Sequence, residues 1–211
     1  MEKTENIEVP WQRLADLFFE VGMLRRTQRS GFQFLGSGQE SVAEHSYRTA
    51  VIGLALAKLS GLDWSRVVCM CLFHDLHEAR TGDFNYVNRM YNSSQAEQAL
   101  SDALQGTGLQ EEILSLQQEL EKVASQEAAL AQDADQLDLI LSLKQEQDLG
   151  NPYAPKWLYH AQKRLRTSWG KELAGAILQR DHTDWWFKSA SSSWWSRANG
   201  REHKQGQFRQ G

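Results

Sequence analysis

Three positions in this chain place polar, ionisable side chains where apolar ones are expected. In Cys71-Leu72-Phe73-His74-Asp75-Leu76-His77-Glu78, a helical reading puts His74 on the face of Val67 and Cys71. Glu78 then falls four residues after His74 and three after Asp75, within one angular sector. His45 shares a helical face with Val42, Thr49, Ile52 and Leu56, and Asp135 shares one with Ala128, Ala131 and Leu139. A buried imidazole or carboxylate needs a partner. Taken singly, each residue is compatible with a hydrogen-bonded core role, or with a protonated carboxyl at Asp135. Taken together, imidazoles and carboxylates of this kind suit a borderline-to-hard divalent cation.

Helices must position these groups. Pro10 opens an apolar-periodic stretch through Leu14, Leu17, Phe18 and Val21, ended by Gly22. Residues 23–40 lack a period and read as a loop carrying Arg25, Arg26 and Arg29. Ser41-Val42-Ala43-Glu44 has capping-box spacing and starts a helix to Ser60, before Gly61. Asp63 caps a further helix expected to run unbroken to about Ala79, where Thr81-Gly82-Asp83 interrupts it. Residues 84–92 read as a connection. Further helices are expected at about 95–105, 109–123, 125–148, 155–168 and 170–180. No strand pattern stands out, so the expected fold class is all-α.

The 211 residues suffice for one well-buried domain, placed at 1–183. Residues 184–211 form a Trp-rich extension, with Trp185, Trp186, Trp194 and Trp195, and a polar tail expected to be disordered. The net charge of −4 argues against an electrostatic grip on nucleic acid, though a metal and a few arginines can still make a site locally positive. Cys69 and Cys71 point in different directions on a helix and read as reduced core residues. With neither a signal-type start nor a membrane-length apolar run, no membrane association is expected and the expected location is cytoplasmic.

The order His45, then His74-Asp75, then Asp135 resembles the H…HD…D signature of the HD-domain phosphohydrolases, and within them the 5′-deoxynucleotidase branch. The resemblance is carried by Leu24 with Arg29, Ser41 to Ser46, His74 to Ala79, Thr81-Gly82-Asp83, and Ala131 to Leu137, over about residues 10–145. It implies a helical bundle in which His45, His74, Asp75 and Asp135 hold one divalent ion, Mn²⁺, Co²⁺ or similar. It also implies essential roles for Glu78 and Asp83, a substrate contact from Arg29, and a homodimer. Ser30 stands where one branch has Trp, and Phe32 is the nearest aromatic, which leaves the base and sugar preference open.

Phosphomonoester hydrolysis requires an activated water, neutralised phosphate oxygens and a proton for the departing alkoxide. Glu78 or Asp83 is the candidate proton carrier, Arg29 the phosphate clamp. Phe32 is a candidate substrate contact and Arg89 a weaker phosphate candidate. The expected activity is hydrolysis of (deoxy)nucleoside 5′-monophosphates to nucleoside and phosphate. Triphosphohydrolysis of a dNTP on the same scaffold, a non-catalytic nucleotide-binding domain and, less favoured, cyclic-nucleotide hydrolysis are the alternatives.

Overall fold

The computed structural model describes residues 10–187. Its elements are α1 (Trp11–Val21), a 3-10 turn (Gly22–Arg25), α2 (Phe32–Leu35), α3 (Val42–Ser60), α4 (Trp64–Phe73), α5 (Glu78–Thr81) and α6 (Tyr86–Tyr91). There follow α7 (Ala96–Leu104), α8 (Gln110–Lys122), α9 (Gln126–Asp148), α10 (Ala154–Gln162), α11 (Ser168–Leu178) and α12 (Asp184–Phe187). Among the described residues the only β pairing is an isolated bridge between Gln28 and Ser41, so the chain is all-α as expected.

The chain divides into two compact units, Met1–Gln179 and Arg180–Gly211. The first holds α1 to α11. Of the Trp-rich extension only α12 is described; Trp194, Trp195 and the polar tail lie outside the described residues. Among the described residues, no helix is long and apolar enough to cross a membrane.

Local chemistry sets the helix starts. Ser41 Oγ accepts from Glu44 N (3.2 Å) while Glu44 Oε2 accepts from Ser41 N (2.7 Å), the reciprocal capping box expected for α3. Asp63 caps α4 by accepting from Ser65 N and Arg66 N, and Ser125 caps α9 by accepting from Ala128 N. Gly61, at φ +74°, ends α3 in the left-handed region that favours glycine.

The core forms where α3, α4 and α9 pack together, with α8, α10 and α11 laid against α9. Val42, Leu56, Ala57, Val67, Met70, Ala134, Leu137 and Ile140 are buried there. Each large aliphatic side chain so removed from water contributes roughly 1.5–3 kcal/mol. Gly53 lets α3 and α4 approach closely: a β-carbon there would stand 2.8 Å from Cys71 Sγ and 3.0 Å from Val67 Cγ1. The close crossing brings the start of α3 and the end of α4 to the same face of α9.

Four expectations need correcting. The helix expected over about 155–168 stops at Gln162, and residues 163–167 turn before α11 begins. The helix after Asp63 does not run to Ala79; α4 ends at Phe73, and the chain turns through His74-Asp75-Leu76-His77 before α5. The His74 ring donates from Nδ1 to the Cys71 carbonyl (2.9 Å), the acceptor that Asp75 N–H would use in a continued helix. Tight bonds such as Leu76 N to Phe73 O and Glu78 N to Asp75 O then carry the turn. Residues 23–40 are not all loop, since they contain the end of the 3-10 turn and α2. Residues 84–92 contain α6, which Asn85 and Asn88 cap reciprocally; these caps lie in a stretch too short for hydrophobic periodicity to register.

Candidate metal centre

Three of the four expected ligands, His45, His74 and Asp135, bring ligand atoms within 4.8 Å of one another, and Asp75 stands beside both imidazoles. His45 lies near the start of α3, His74 and Asp75 in the turn after α4, and Asp135 on α9. The Nε2 atoms of His45 and His74 are 3.2 Å apart. Asp75 Oδ2 stands 3.1 Å from His74 Nε2 and 3.5 Å from His45 Nε2. Asp135 Oδ1 is 3.2 Å from His45 Nε2 and 4.0 Å from His74 Nε2.

The remaining ring nitrogens show what these atoms are for. His45 Nδ1 donates to Asp138 Oδ2 at 2.7 Å and His74 Nδ1 donates to the Cys71 carbonyl. With Nδ1 so engaged, Nε2 is the nitrogen of each ring left to ligate, and both Nε2 atoms face two carboxylate oxygens. Such a set calls for positive charge at its centre, from a proton or a metal ion. Ligands about 2.1 Å from one ion, at tetrahedral or octahedral angles, lie roughly 3.0–3.5 Å from one another, and most separations here fall in that range. The residues fit a divalent metal ion.

The electrostatics agree. Burial disfavours the His45 imidazolium, but Asp135 and Asp138 outweigh it and push its pKa up to about 10. His74 is likewise raised, against burial, by Asp75. Burial opposes ionisation of Asp135, yet His45 draws it down to about 2; Asp75 lies well below the usual carboxylate range because of His74, Arg29 and His45. The raised histidines and the lowered carboxylates hold one another in their charged forms.

Around the ligands lies a cavity of about 190 Å³ bordered by His74, Asp75 and Asp135. Arg29 enters it, with Nη1 3.1 Å from Asp75 Oδ2. Asp83 also borders it, and its Oδ2 accepts from Ser30 N (2.6 Å) and Ser30 Oγ (3.1 Å), which ties the Thr-Gly-Asp segment to the Arg29 loop. Phe32 and Arg89 line the same cavity. Glu78 does not. It is buried, borders a separate hollow with His77, Thr81 and Arg89, and its Oε2 has no hydrogen-bond partner among the described residues. Burial, then Asp75 and Asp83, raise its pKa to about 9.

Several contributors escape a reading of the sequence alone. Trp157 of α10 and Tyr86 of α6 also line the cavity, with ring centroids 6.2 Å apart, and the Arg164 guanidinium lies 5.3 Å over the Tyr86 ring. No periodicity links them to residues 70 positions away. Asp138 and Arg48 had a fainter signal, each standing three residues after a ligand, Asp135 and His45. Asp133, part of the motif around Asp135, is fully buried and accepts from Arg166 N, Thr167 N and Thr167 Oγ at 2.8, 2.8 and 2.6 Å. It anchors the α10–α11 connection and leaves Asp135 to face the site.

A family model for the HD domain matches residues 21–174. This chain belongs to the HD-domain phosphohydrolase family. The matched span contains the His45, His74-Asp75 and Asp135 set just described. Over 142 residues the HD chain is 32% identical to the 5′-deoxynucleotidase HDDC2 of Danio rerio, covering 63% of this chain and 69% of that protein. It is 31% identical over 138 residues to the 5′-deoxynucleotidase HDDC2 of Dictyostelium discoideum, covering 59% and 73%. Among solved structures, a conserved hypothetical protein from Pyrococcus furiosus superimposes with a TM-score of 0.67 at 27% identity, over 79% of this chain and 99% of that one. A protein described as a predicted metal-dependent phosphohydrolase, from Magnetospirillum magnetotacticum, shares the HD fold with a TM-score of 0.61 at 22% identity, over 82% and 93%.

Proposed function

We propose that this HD-domain protein hydrolyses the phosphomonoester of (deoxy)nucleoside 5′-monophosphates, releasing nucleoside and phosphate. The observation that carries the reading is one cavity lined both by His74, Asp75, Asp135 and Arg29 and by Phe32, Tyr86 and Trp157. A phosphate needs the first set and a nucleoside the second. The similarity to two 5′-deoxynucleotidases supports it.

His45, His74, Asp75 and Asp135 would hold a single divalent ion, Mn²⁺, Co²⁺ or similar. When bound, such an ion polarises a phosphoryl oxygen and lowers the pKa of water. Arg29 clamps the phosphate through charge-assisted hydrogen bonds, its backbone fixed by donation from Arg29 N to the Glu40 carbonyl at 2.8 Å. Glu78 or Asp83 would carry the proton for the leaving alkoxide. Glu78, with its pKa near 9, is neutral at pH 7 and holds a proton, and Asp83 stands at the cavity wall. Phe32, Tyr86 and Trp157 offer apolar surface to the sugar and base.

One observation favours a second reading, triphosphohydrolysis of a dNTP. A cavity of about 630 Å³ also borders His74, Asp75 and Asp135, and carries Lys163, Arg164 and Arg166. Those cations could neutralise a longer phosphate chain. A phosphate-release screen over nucleoside mono- and triphosphates, with Mn²⁺, Co²⁺, Mg²⁺ and Zn²⁺, separates the readings. Orthophosphate from dAMP or dTMP supports the monophosphatase and tripolyphosphate from dATP the alternative. Undiminished release by both His74→Ala and Asp75→Ala would overturn either one.

A further inference from the structure

We propose that Arg48 is a positioning residue whose single guanidinium couples the metal ligand His45 to the loop that presents Arg29. The inference rests on the metal-site reading above and extends it to a residue outside the cavity.

Arg48 stands three residues after His45 on α3, and its planar head reaches two structures at once. Nε donates to Asp138 Oδ1 at 2.5 Å, and Nη2 donates to Ser142 Oγ at 2.6 Å and to the Asp138 carbonyl at 3.3 Å. Asp138 is almost wholly buried, and its other oxygen, Oδ2, accepts from His45 Nδ1. Arg48 therefore fixes the carboxylate that orients the His45 ring and leaves Nε2 as the free donor.

The same Nη2 also donates to Glu40 Oε1 at 2.6 Å. Glu40 is the last residue before the Ser41 cap, and its backbone carbonyl accepts Arg29 N–H. Beside it, Val42 N donates to Thr27 O at 2.9 Å and Gln28 pairs with Ser41, so residues 27–29 run antiparallel along 40–42. The Glu40 segment is thus the rail on which Arg29 is mounted, and Arg48 pins that rail to α9. A surface ion pair would bridge two side chains for little gain; here one rigid fork holds a ligand's partner with one edge and the substrate arm's support with the other. Lysine offers a point charge on a flexible stem and cannot span both.

The test compares Arg48→Met, Arg48→Lys and Glu40→Gln with the wild type, using readouts independent of turnover. Mn²⁺ affinity is measured by calorimetry, inorganic phosphate affinity on the Mn²⁺-saturated protein, and folding by circular dichroism. Arg48→Met is expected to weaken Mn²⁺ binding by about 10-fold or more, and to weaken phosphate binding as well. Arg48→Lys recovers most of the Mn²⁺ affinity but not the phosphate affinity, and Glu40→Gln weakens phosphate alone. A folded Arg48→Met with unchanged Mn²⁺ and phosphate affinities overturns the coupling while the metal site stands. If Arg48→Met does not fold, Arg48→Lys with both affinities unchanged, or Glu40→Gln with phosphate affinity unchanged, overturns it equally. A wild type that binds no Mn²⁺ or Co²⁺ overturns the metal reading itself, and the coupling with it.

Discussion

His45 Nδ1 lies 2.7 Å from Asp138 Oδ2, inside the core and 93 residues away in sequence. The contact decides which ring nitrogen of His45 keeps its lone pair. Asp138→Ala removes the acceptor and frees the tautomer, so Mn²⁺ affinity is expected to fall by about 10–100-fold. Calorimetric titration checks it. An unchanged dissociation constant would mean that something other than Asp138 holds the ring.

Protons and metal compete for the same point. His45, with its pKa near 10, must give up a proton to ligate, so Mn²⁺ binding tightens from pH 6 to pH 8 and releases protons. Calorimetry in buffers of different ionisation enthalpy reads that release directly. A heat independent of the buffer would contradict it.

The metal-free protein should lose stability as pH rises. The Glu78 pKa rises on folding from 4.5 to about 9, and that of His45 from 6.5 to about 10. Both groups therefore hold more protons folded than unfolded, so stability falls across about pH 4.5–9 for Glu78 and pH 6.5–10 for His45. Glu78→Gln removes the first contribution. It is expected to raise the pH 8 melting temperature of the metal-free protein and to flatten the pH profile above 4.5, while kcat drops by roughly 10²–10⁴-fold.

Arg29→Ala is expected to raise KM for a nucleoside monophosphate by about 10-fold or more, through loss of a charge-assisted clamp on phosphate. Mn²⁺ affinity should change far less, because Arg29 touches a ligand and is not one. Steady-state kinetics at saturating Mn²⁺ provides the measurement.

Gly53→Ala puts a methyl group where α3 and α4 nearly touch, against Cys71 Sγ and Val67 Cγ1. Overpacking there should cost about 1–3 kcal/mol, read as a lower denaturation midpoint. Because the crossing sets the spacing of His45 and His74, Mn²⁺ affinity should weaken alongside. A loss of stability with full Mn²⁺ affinity would show that the ligands tolerate a shift between the helices.

Local chemistry was legible in the sequence. The caps at Ser41 and Asp63 use side chains two or three residues from the amides they satisfy, and the helical phase of His45 and Asp135 follows from the spacing of their own neighbours. Helical phase marked His74 as well, with Asp75 and Glu78 in one sector; family likeness joined these residues into one site and added Arg29 and Asp83, which the fold places at the same cavity. The break after Phe73 was not legible, because it depends on a ring turning back onto the Cys71 carbonyl where a periodic pattern would carry on. Nor was the separation of Asp83, at the cavity wall, from Glu78, buried behind it; helical phase had grouped Glu78 with His74 on a helix that does not continue that far. Trp157, Tyr86 and the Asp138–Arg48–Glu40 linkage belong to the tertiary structure alone, since what unites them is the packing of α6 and α10 beside the site and of α3 against α9. The residue types and their spacing determined that a helical protein with a candidate metal site was encoded; which groups touch was decided only when long-range packing brought their atoms within a few ångströms.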